Sequence, residues 1–250
     1  MKLKLYLICI SFSVFWLFGC SSDYEVLPIT ESTSINTSSE PTEEETNVPE
    51  SSIVKILSLG DSYTYGTNVC PSCSFPEQLK SQLRLRIESS VTQLKIIAQS
   101  RWTTTNLIDA INTDSSSNEY DLVTLLIGVN NQYQRKPFSL YEKEFPLLVN
   151  NAIAKANGDK SQVIVISIPD YAYTPLGQGN TLISNDIDKY NNYAENYCMQ
   201  NNISYLYITD ITRQGLVNPA LVTFDGLHPS ELAYSKFVDR LLPLAIKKLN

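Results

Sequence analysis

Apolar residues fall into two alternating patterns along residues 53 to 250. Short, nearly continuous apolar runs are typical of strands covered on both faces, and they occur at residues 53–59, 93–98, 121–127, 162–168 and 203–208. Apolar side chains spaced three or four apart predict helices at residues 75–89, 103–111, 140–156, 182–200 and 230–249. Pro146 predicts a kink or break in the third helix, and Pro229 stands where the last helix opens. This alternation predicts an α/β fold with about five parallel strands and helices on both faces.

The first residues show neither pattern and are typical of an export signal. Lys2 and Lys4 precede an apolar run at residues 5–18, which is shorter than the roughly 20 residues that a membrane-spanning helix needs. The segment that ends at Gly19 and Cys20 resembles a bacterial lipoprotein signal, in which the cysteine becomes the N-terminus and carries lipid. We therefore predict a lipoprotein signal peptide over residues 1–19 and lipidation of Cys20. An ordinary signal peptide with an incidental Cys20 is the alternative.

Residues 20–52 are rich in Ser, Thr, Glu and Pro and lack Lys and Arg, so they predict a flexible acidic tether. We predict that the protein is exported and anchored by lipid to a bacterial membrane, on the periplasmic or cell-surface face of the outer membrane.

The tether holds eight of the chain's 26 acidic residues. Residues 53–250 then carry 18 acidic and 17 basic groups. This near-neutral domain gives no electrostatic argument for a nucleic-acid partner.

Three cysteines lie in the predicted domain. Cys70 and Cys73 are separated by Pro and Ser, and an exported chain meets an oxidising compartment, so they predict a disulfide that closes a small loop. A redox-active cysteine pair is the alternative. A metal site is not expected, because the chain has one histidine and no second cysteine pair.

Polar residues that could carry chemistry follow three of the predicted strands. Ser62 follows the first strand, Asn130 follows the third, and Asp225 and His228 lie between the fifth strand and the last helix. Sites in open parallel sheets gather at the carboxyl ends of the strands, so these side chains are expected on one rim. A serine hydroxyl needs a base, and His228 is the only histidine. Asp225, three residues earlier, is placed to orient it.

The segments Gly60-Asp61-Ser62, Gly128-x-Asn130 and Asp225-x-x-His228 resemble the SGNH, or GDSL-like, hydrolases in order and spacing over nearly all of residues 53–250. The resemblance implies a flavodoxin-like three-layer sandwich and a catalytic set of Ser62, His228 and Asp225. It implies an oxyanion hole from the Ser62 N–H, a glycine N–H and the Asn130 side chain. It implies no cofactor and no metal, and esters or thioesters as substrates.

The chain departs from that family at the second oxyanion position, where Arg101 stands in place of glycine. A backbone N–H survives this substitution, so Arg101 either still donates or crowds the pocket. We expect its guanidinium to border the pocket and to favour substrates with an acceptor or a negative group. Asn131 replaces a frequent aspartate, and Tyr63 replaces the family's leucine. Tyr63, Trp102 and Tyr133 are predicted pocket walls, with core packing as the alternative.

Together these features predict a serine ester hydrolase that acts on short acyl or acetyl esters of sugars, lipids or small alcohols through an acyl-enzyme. Two alternatives use the same fold. One is a non-catalytic surface lipoprotein that binds a glycan or a lipid, and Arg101 is the residue that favours it. The other is a sugar O-acyltransferase, in which an acceptor hydroxyl replaces water.

Overall fold

A computed structural model describes residues 53–87 and 91–250 of the chain. The predictions for the signal peptide, Cys20 and the acidic tether lie outside the described residues. Within the described part, none of the helices combines the length and apolar character needed to cross a membrane.

The centre of the domain is a sheet of five parallel strands. The strands are β1 (Ile53–Gly60), β2 (Val91–Ala98), β3 (Leu122–Leu126), β4 (Val163–Ile166) and β5 (Ser204–Leu206). Their order across the sheet is β2-β1-β3-β4-β5, so the chain steps outward first to one side of β1 and then to the other. This is the order of flavodoxin-like folds, and it leaves a crevice beyond the carboxyl ends of β1 and β3. The predicted fold class is confirmed.

Eight α-helices complete the described part of the domain. They are α1 (Ser62–Tyr65), α2 (Phe75–Arg84), α3 (Thr104–Thr113), α4 (Val129–Tyr133), α5 (Phe138–Lys155), α6 (Thr181–Asn201), α7 (Thr209–Thr212) and α8 (Glu231–Leu249). Helices α2 and α8 pack together, and α5 packs against both α3 and α6, which gives the three layers. β3 is buried along its whole length. Its near-continuous apolar sequence fits a strand covered on both faces.

The break that was one of the two effects predicted for Pro146 is absent, because α5 runs continuously through this residue. The kink stays a prediction. A proline removes the hydrogen bond to the carbonyl four residues earlier, here that of Glu142. The hydroxyl of Tyr193 on α6 donates to this carbonyl at 2.8 Å. A side chain from the neighbouring helix therefore satisfies the group that Pro146 leaves without an intrahelical partner.

Gly128 connects β3 to α4 in a conformation that few other residues could adopt. Its φ is +131°, and a Cβ atom there would lie 2.7 Å from Cε2 of the buried Tyr141. Gly158 also has a positive φ, +82°, but a Cβ atom there would meet nothing within 4 Å. A comparison of substitutions at the two glycines therefore distinguishes the cost of backbone strain from the cost of steric overlap.

We expect Gly128→Ala to lower the free energy of unfolding by about 3 kcal/mol, because strain and overpacking add at that position. The matched control Gly158→Ala carries strain alone and is expected to lose about 1 kcal/mol. Urea unfolding of both variants measures the difference. Equal losses would show that the Tyr141 ring moves aside without cost.

Candidate active site

Ser62 is the first residue of α1, directly beyond the end of β1. The Asp61 carboxylate caps this short helix by accepting the Tyr63 N–H at 3.0 Å. Gly60 allows the close approach, because a Cβ there would lie 2.5 Å from the carbonyl oxygen of Leu126 on β3. As the first helical residue, Ser62 has a backbone N–H without an acceptor inside the helix.

Asp225 and His228 form the second part of the site. His228 Nδ1 lies 2.5 Å from Asp225 Oδ2, in a turn that precedes α8. The same oxygen accepts the Asn68 amide at 2.6 Å, and the other accepts the Thr223 hydroxyl at 2.7 Å. The backbone N–H groups of Leu227 and His228 also donate to Asp225, at 2.9 and 3.0 Å. Asp225 is therefore held as a fixed acceptor behind the imidazole.

The pKa of Asp225 reflects these contacts. Partial burial raises the pKa, but the hydrogen bonds from His228, Thr223 and the backbone outweigh that effect and hold it well below its ordinary value. The carboxyl group is therefore ionised at neutral pH. An ionised carboxylate beside Nδ1 stabilises the imidazolium form of a catalytic histidine.

Ser62 and His228 meet at a cavity of about 350 Å³ at the carboxyl ends of β1 and β3. The cavity is lined by Ser62, Tyr63, Thr67, Ser100, Arg101, Val129, Asn130, Tyr133, Tyr171, Leu227 and His228. Within the described residues, the Ser62 hydroxyl and the His228 ring form no hydrogen bond with each other. Catalytic hydrogen bonds of this kind are often long before substrate binds and shorten in the complex.

Asn130 lines the cavity and carries a side-chain donor without a partner at hydrogen-bond distance in the described part of the chain. It lies on α4, its exposed fraction is 9%, and its Nδ2 atom has no hydrogen-bond partner among the described residues. A buried amide without a partner costs about 1–3 kcal/mol, so such groups are rare unless a ligand uses them. The Asn130 amide also lies close enough to Asp61 to lower the pKa of that carboxyl group, and its role in an oxyanion hole stays a prediction.

Arg101 lines the same cavity in a backbone conformation that suits glycine. Its φ is +71°, in the left-handed region. The Gln134 side chain donates to the Arg101 carbonyl at 2.8 Å and so ties this turn to the residue that follows α4. The Arg101 N–H makes no backbone hydrogen bond in the described part of the chain. The backbone at Arg101 thus keeps a glycine-like geometry in a residue that lines the cavity.

Thr104 and Asn131 connect the chain segments that carry Arg101 and Asn130. The Asn131 side chain accepts the Thr104 N–H at 2.9 Å and donates to the Thr104 hydroxyl at 2.6 Å. That hydroxyl donates to the buried carboxylate of Glu144 on α5. An aspartate at 131 could accept but not donate, and it would set a second carboxylate against Glu144. This explains the asparagine, and the sequence pattern gave no sign of Thr104 or Glu144.

The predicted pocket walls divide into two groups. Tyr133 lines the cavity and is 55% exposed, while Tyr63 lines it with an exposure of 3% and packs its ring 5.3 Å from that of His228. Trp102 is not among the residues that line the cavity. Its side chain packs against the hydrophobic core, which is the alternative role stated for it. Tyr171, which the sequence reasoning missed, stacks edge-on against Tyr133 at 5.7 Å.

Cys70 and Cys73 are joined by a disulfide in the loop between α1 and α2. Neither cysteine lines the cavity. Cys198 is buried in α6, and burial raises the pKa of its thiol to about 12. No three metal-ligating side chains come together within residues 53–87 and 91–250.

Asp61 is buried directly behind Ser62, and its Oδ2 atom has no hydrogen-bond partner among the described residues. Burial raises the pKa of this carboxyl group from its ordinary value to about 7, although the Tyr63 N–H and the nearby Asn130 amide, which lies beyond hydrogen-bond distance, oppose the rise. The folded state therefore holds a proton that the unfolded chain releases at lower pH. Stability from this group is present below pH 3.8 and is lost as the pH rises through about 7.

We expect the free energy of unfolding of Asp61→Asn, measured relative to that of wild type, to be higher at about pH 8 than at about pH 4. The expected increase is as much as about 4 kcal/mol. The asparagine cannot ionise and so escapes the cost of a buried charge. Urea unfolding at the two pH values measures the change. The matched control is Asp109→Asn, which removes an exposed carboxyl group on α3. A difference between wild type and Asp61→Asn that stays constant with pH would contradict the prediction.

The profile of the GDSL-like Lipase/Acylhydrolase family matches residues 58–236. A solved member of the lipolytic protein G-D-S-L family from Veillonella parvula has 18% identity and a TM-score of 0.59, covering 77% of this chain and 97% of that one. The lipase/acylhydrolase from Enterococcus faecalis has 19% identity and a TM-score of 0.61, covering 78% and 95%. An acetyl xylan esterase from Geobacillus stearothermophilus has 16% identity and a TM-score of 0.56, covering 77% and 94%. A comparison with curated protein sequences found no match.

Proposed function

Because this chain belongs to the GDSL-like lipase/acylhydrolase family, we propose that it is a serine hydrolase of carboxylic esters that works through an acyl-enzyme. One observation carries the proposal: Ser62 and His228 line a single cavity, with the Asp225 carboxylate on the far nitrogen of the imidazole. The substrates we propose are short acyl or acetyl esters of sugars, lipids or small alcohols. One similar structure is an acetyl xylan esterase.

In the proposed mechanism, the Ser62 hydroxyl attacks the ester carbonyl while His228 Nε2 accepts its proton. The tetrahedral intermediate collapses, and His228 returns the proton to the departing alcohol. Water then attacks the acyl-enzyme with the same base, and the acid and free Ser62 are released. Asp225 keeps Nδ1 protonated and balances the charge on the ring through both steps.

The oxyanion that forms in each step needs donors that are already in place. We assign this role to the Ser62 N–H, the Arg101 N–H and the Asn130 amide. The support is that the Asn130 Nδ2 atom is buried without a partner and that all three residues line the cavity. Loss of one such donor costs roughly 10²–10³ in rate.

A fluorophosphonate probe is expected to label the purified full-length chain at one serine, because only an activated hydroxyl attacks the phosphorus. Ser62→Ala should remove the label. Ser100→Ala, which deletes a second hydroxyl of the same cavity, should keep it. Mass spectrometry of the labelled peptide identifies the serine.

Absence of labelling in the wild-type chain would favour the other candidate, a glycan- or lipid-binding lipoprotein without catalysis. Two observations support that candidate. Arg101, a larger and charged residue in place of glycine, lines the cavity. In the described part of the chain, the Ser62 and His228 side chains are not hydrogen-bonded to each other. Labelling at Ser62 would exclude it.

The location of the protein is also a proposal, and it rests on residues 1–52 of the sequence alone. We propose that the chain is exported, cleaved before Cys20 and held at a bacterial membrane by lipid on that cysteine. A single acyl chain gives only marginal membrane binding, whereas two or more give stable anchoring. The acidic segment that follows would let the domain reach substrate away from the membrane surface.

A further inference from the structure

A second concavity adjoins the catalytic cavity on the α4 and α6 side. It has a volume of about 940 Å³, and Tyr133 and Tyr171 line both spaces. We call it the basic groove, after the cations Arg135, Lys136 and Lys189 that line it. A substrate whose ester reaches Ser62 has room to extend past the two tyrosines into this groove.

The groove has an excess of positive charge that the domain as a whole lacks. No carboxylate pairs with Arg135, Lys136 or Lys189 within residues 53–87 and 91–250, and the same is true of Arg101 in the adjoining cavity. Residues 53–250 together carry 18 acidic and 17 basic groups. Four unpaired cations along one continuous surface therefore mark a local charge that complements an anion.

Among the described residues, a single carboxylate, that of Asp186, lines the groove together with the three cations, so an excess of positive charge remains. Asp186 Oδ2 accepts the Gln132 amide at 3.2 Å, and the Gln132 carbonyl oxygen accepts the Tyr171 hydroxyl at 2.7 Å. This chain of hydrogen bonds fixes the border between the cavity and the groove. Lys189 Nζ lies 4.0 Å from the centroid of the Phe138 ring, so an aromatic face positions it too.

The remaining lining combines aromatic, amide and aliphatic side chains. The exposed Tyr133 offers an aromatic face with a polar end, and Asn180 offers an amide group to hydroxyls. Leu176, Leu182 and Ile183 add aliphatic surface, against which the C–H groups of a sugar ring can pack. The cations favour an oligosaccharide that bears carboxylates over an alkyl chain, because an alkyl chain offers them no partner.

Building on the ester hydrolase function proposed above, we propose that the substrate is an acyl ester of an acidic oligosaccharide. The ester lies at Ser62, a sugar ring lies on Tyr133, and the carboxylates lie beside Arg135, Lys136 and Lys189. Arg101 faces the anion from the cavity side. Hydrolysis breaks the bond between acyl carbon and sugar oxygen, and water supplies the hydroxyl group of the acid and the proton of the sugar hydroxyl.

The test uses the full-length chain and hydrolysis of 4-nitrophenyl acetate, with unesterified trigalacturonate and maltotriose as competitors. We expect trigalacturonate to inhibit competitively, with an inhibition constant about tenfold below that of maltotriose at low salt. The double variant Arg135→Gln, Lys136→Gln should weaken this inhibition by about tenfold. The matched control Lys143→Gln removes an exposed cation of α5 outside the groove and should leave the inhibition constant unchanged.

Equal inhibition by the two trisaccharides, or inhibition by trigalacturonate that survives the double variant, would overturn the proposal. So would competition by lysophosphatidylglycerol in place of trigalacturonate, since that result assigns the cations to a lipid phosphate. If the wild-type chain does not hydrolyse 4-nitrophenyl acetate, the ester hydrolase function fails instead. Calorimetric titration of the same protein with trigalacturonate then tests binding in the groove without relying on hydrolysis.

Discussion

Replacing Ser62 with alanine is expected to lower kcat for 4-nitrophenyl acetate by at least about 10⁴-fold, and His228→Ala should do the same. The serine provides the attacking oxygen, and the only histidine of the chain is the only base of its kind at the cavity. Because the two side chains act as a unit, the double variant should be no slower than either single variant. Steady-state kinetics of the three purified variants measure these effects.

Folding of the three variants is checked by circular dichroism and by the unfolding midpoint, since Ser62 is 4% exposed and alanine fits its place. A loss smaller than about tenfold in the Ser62→Ala variant would contradict the mechanism, because background water attack is far slower than that. Additive losses in the double variant would show that His228 acts separately from Ser62.

The second large effect is expected from Asp225→Asn. The variant keeps the size of the side chain but removes the charge that balances the imidazolium, and its amide presents a donor to Nδ1. We expect kcat to fall by roughly 10²–10⁴-fold with little change in stability. The same nitrophenyl ester and a urea unfolding curve give the two readouts.

Asn68→Ala provides the matched control for this prediction. It removes the other side chain that donates to the Oδ2 atom of Asp225 and leaves the contact with His228 intact. A hydrogen bond to an ionised carboxylate contributes about 1.5–3 kcal/mol to stability. Because the charge of Asp225 and its contact with Nδ1 remain in this variant, the expected loss of activity is about tenfold or less. Near-wild-type activity of Asp225→Asn, or equal losses in the two variants, would show that the carboxylate does not act through its charge.

The residues of the catalytic rim could be predicted from the sequence because parallel strands place their carboxyl ends together. Ser62 and Asn130 each follow an apolar run, His228 lies shortly before the last helix, and the shared edge of the sheet brings the three to one cavity. The short helices α1, α4 and α7 were missed, because four or five residues are too few to show a helical period. The positions of the strands can therefore be predicted from the sequence, while the backbone conformation directly after each strand cannot.

Contacts between residues that are distant in the sequence produce no periodic pattern in it either. Thr104, Asn131 and Glu144 form one hydrogen-bonded unit, although 40 residues separate the first from the last. The basic groove likewise combines cations from the loop after α4 and from α6 that look like ordinary solvent-exposed charges in the sequence. Trp102 could not be assigned to the cavity or to the core from the sequence, because its position beside Arg101 does not determine which way its side chain points.

The left-handed turn at Arg101 has an evolutionary consequence. An L-amino acid in that conformation costs about 1 kcal/mol, and glycine would release most of it. A codon for arginine is often one base away from a codon for glycine, so the cheaper residue lies within easy mutational reach. A chain that retains arginine there accepts a standing loss of stability, and we expect its guanidinium to provide a benefit to the organism that exceeds it.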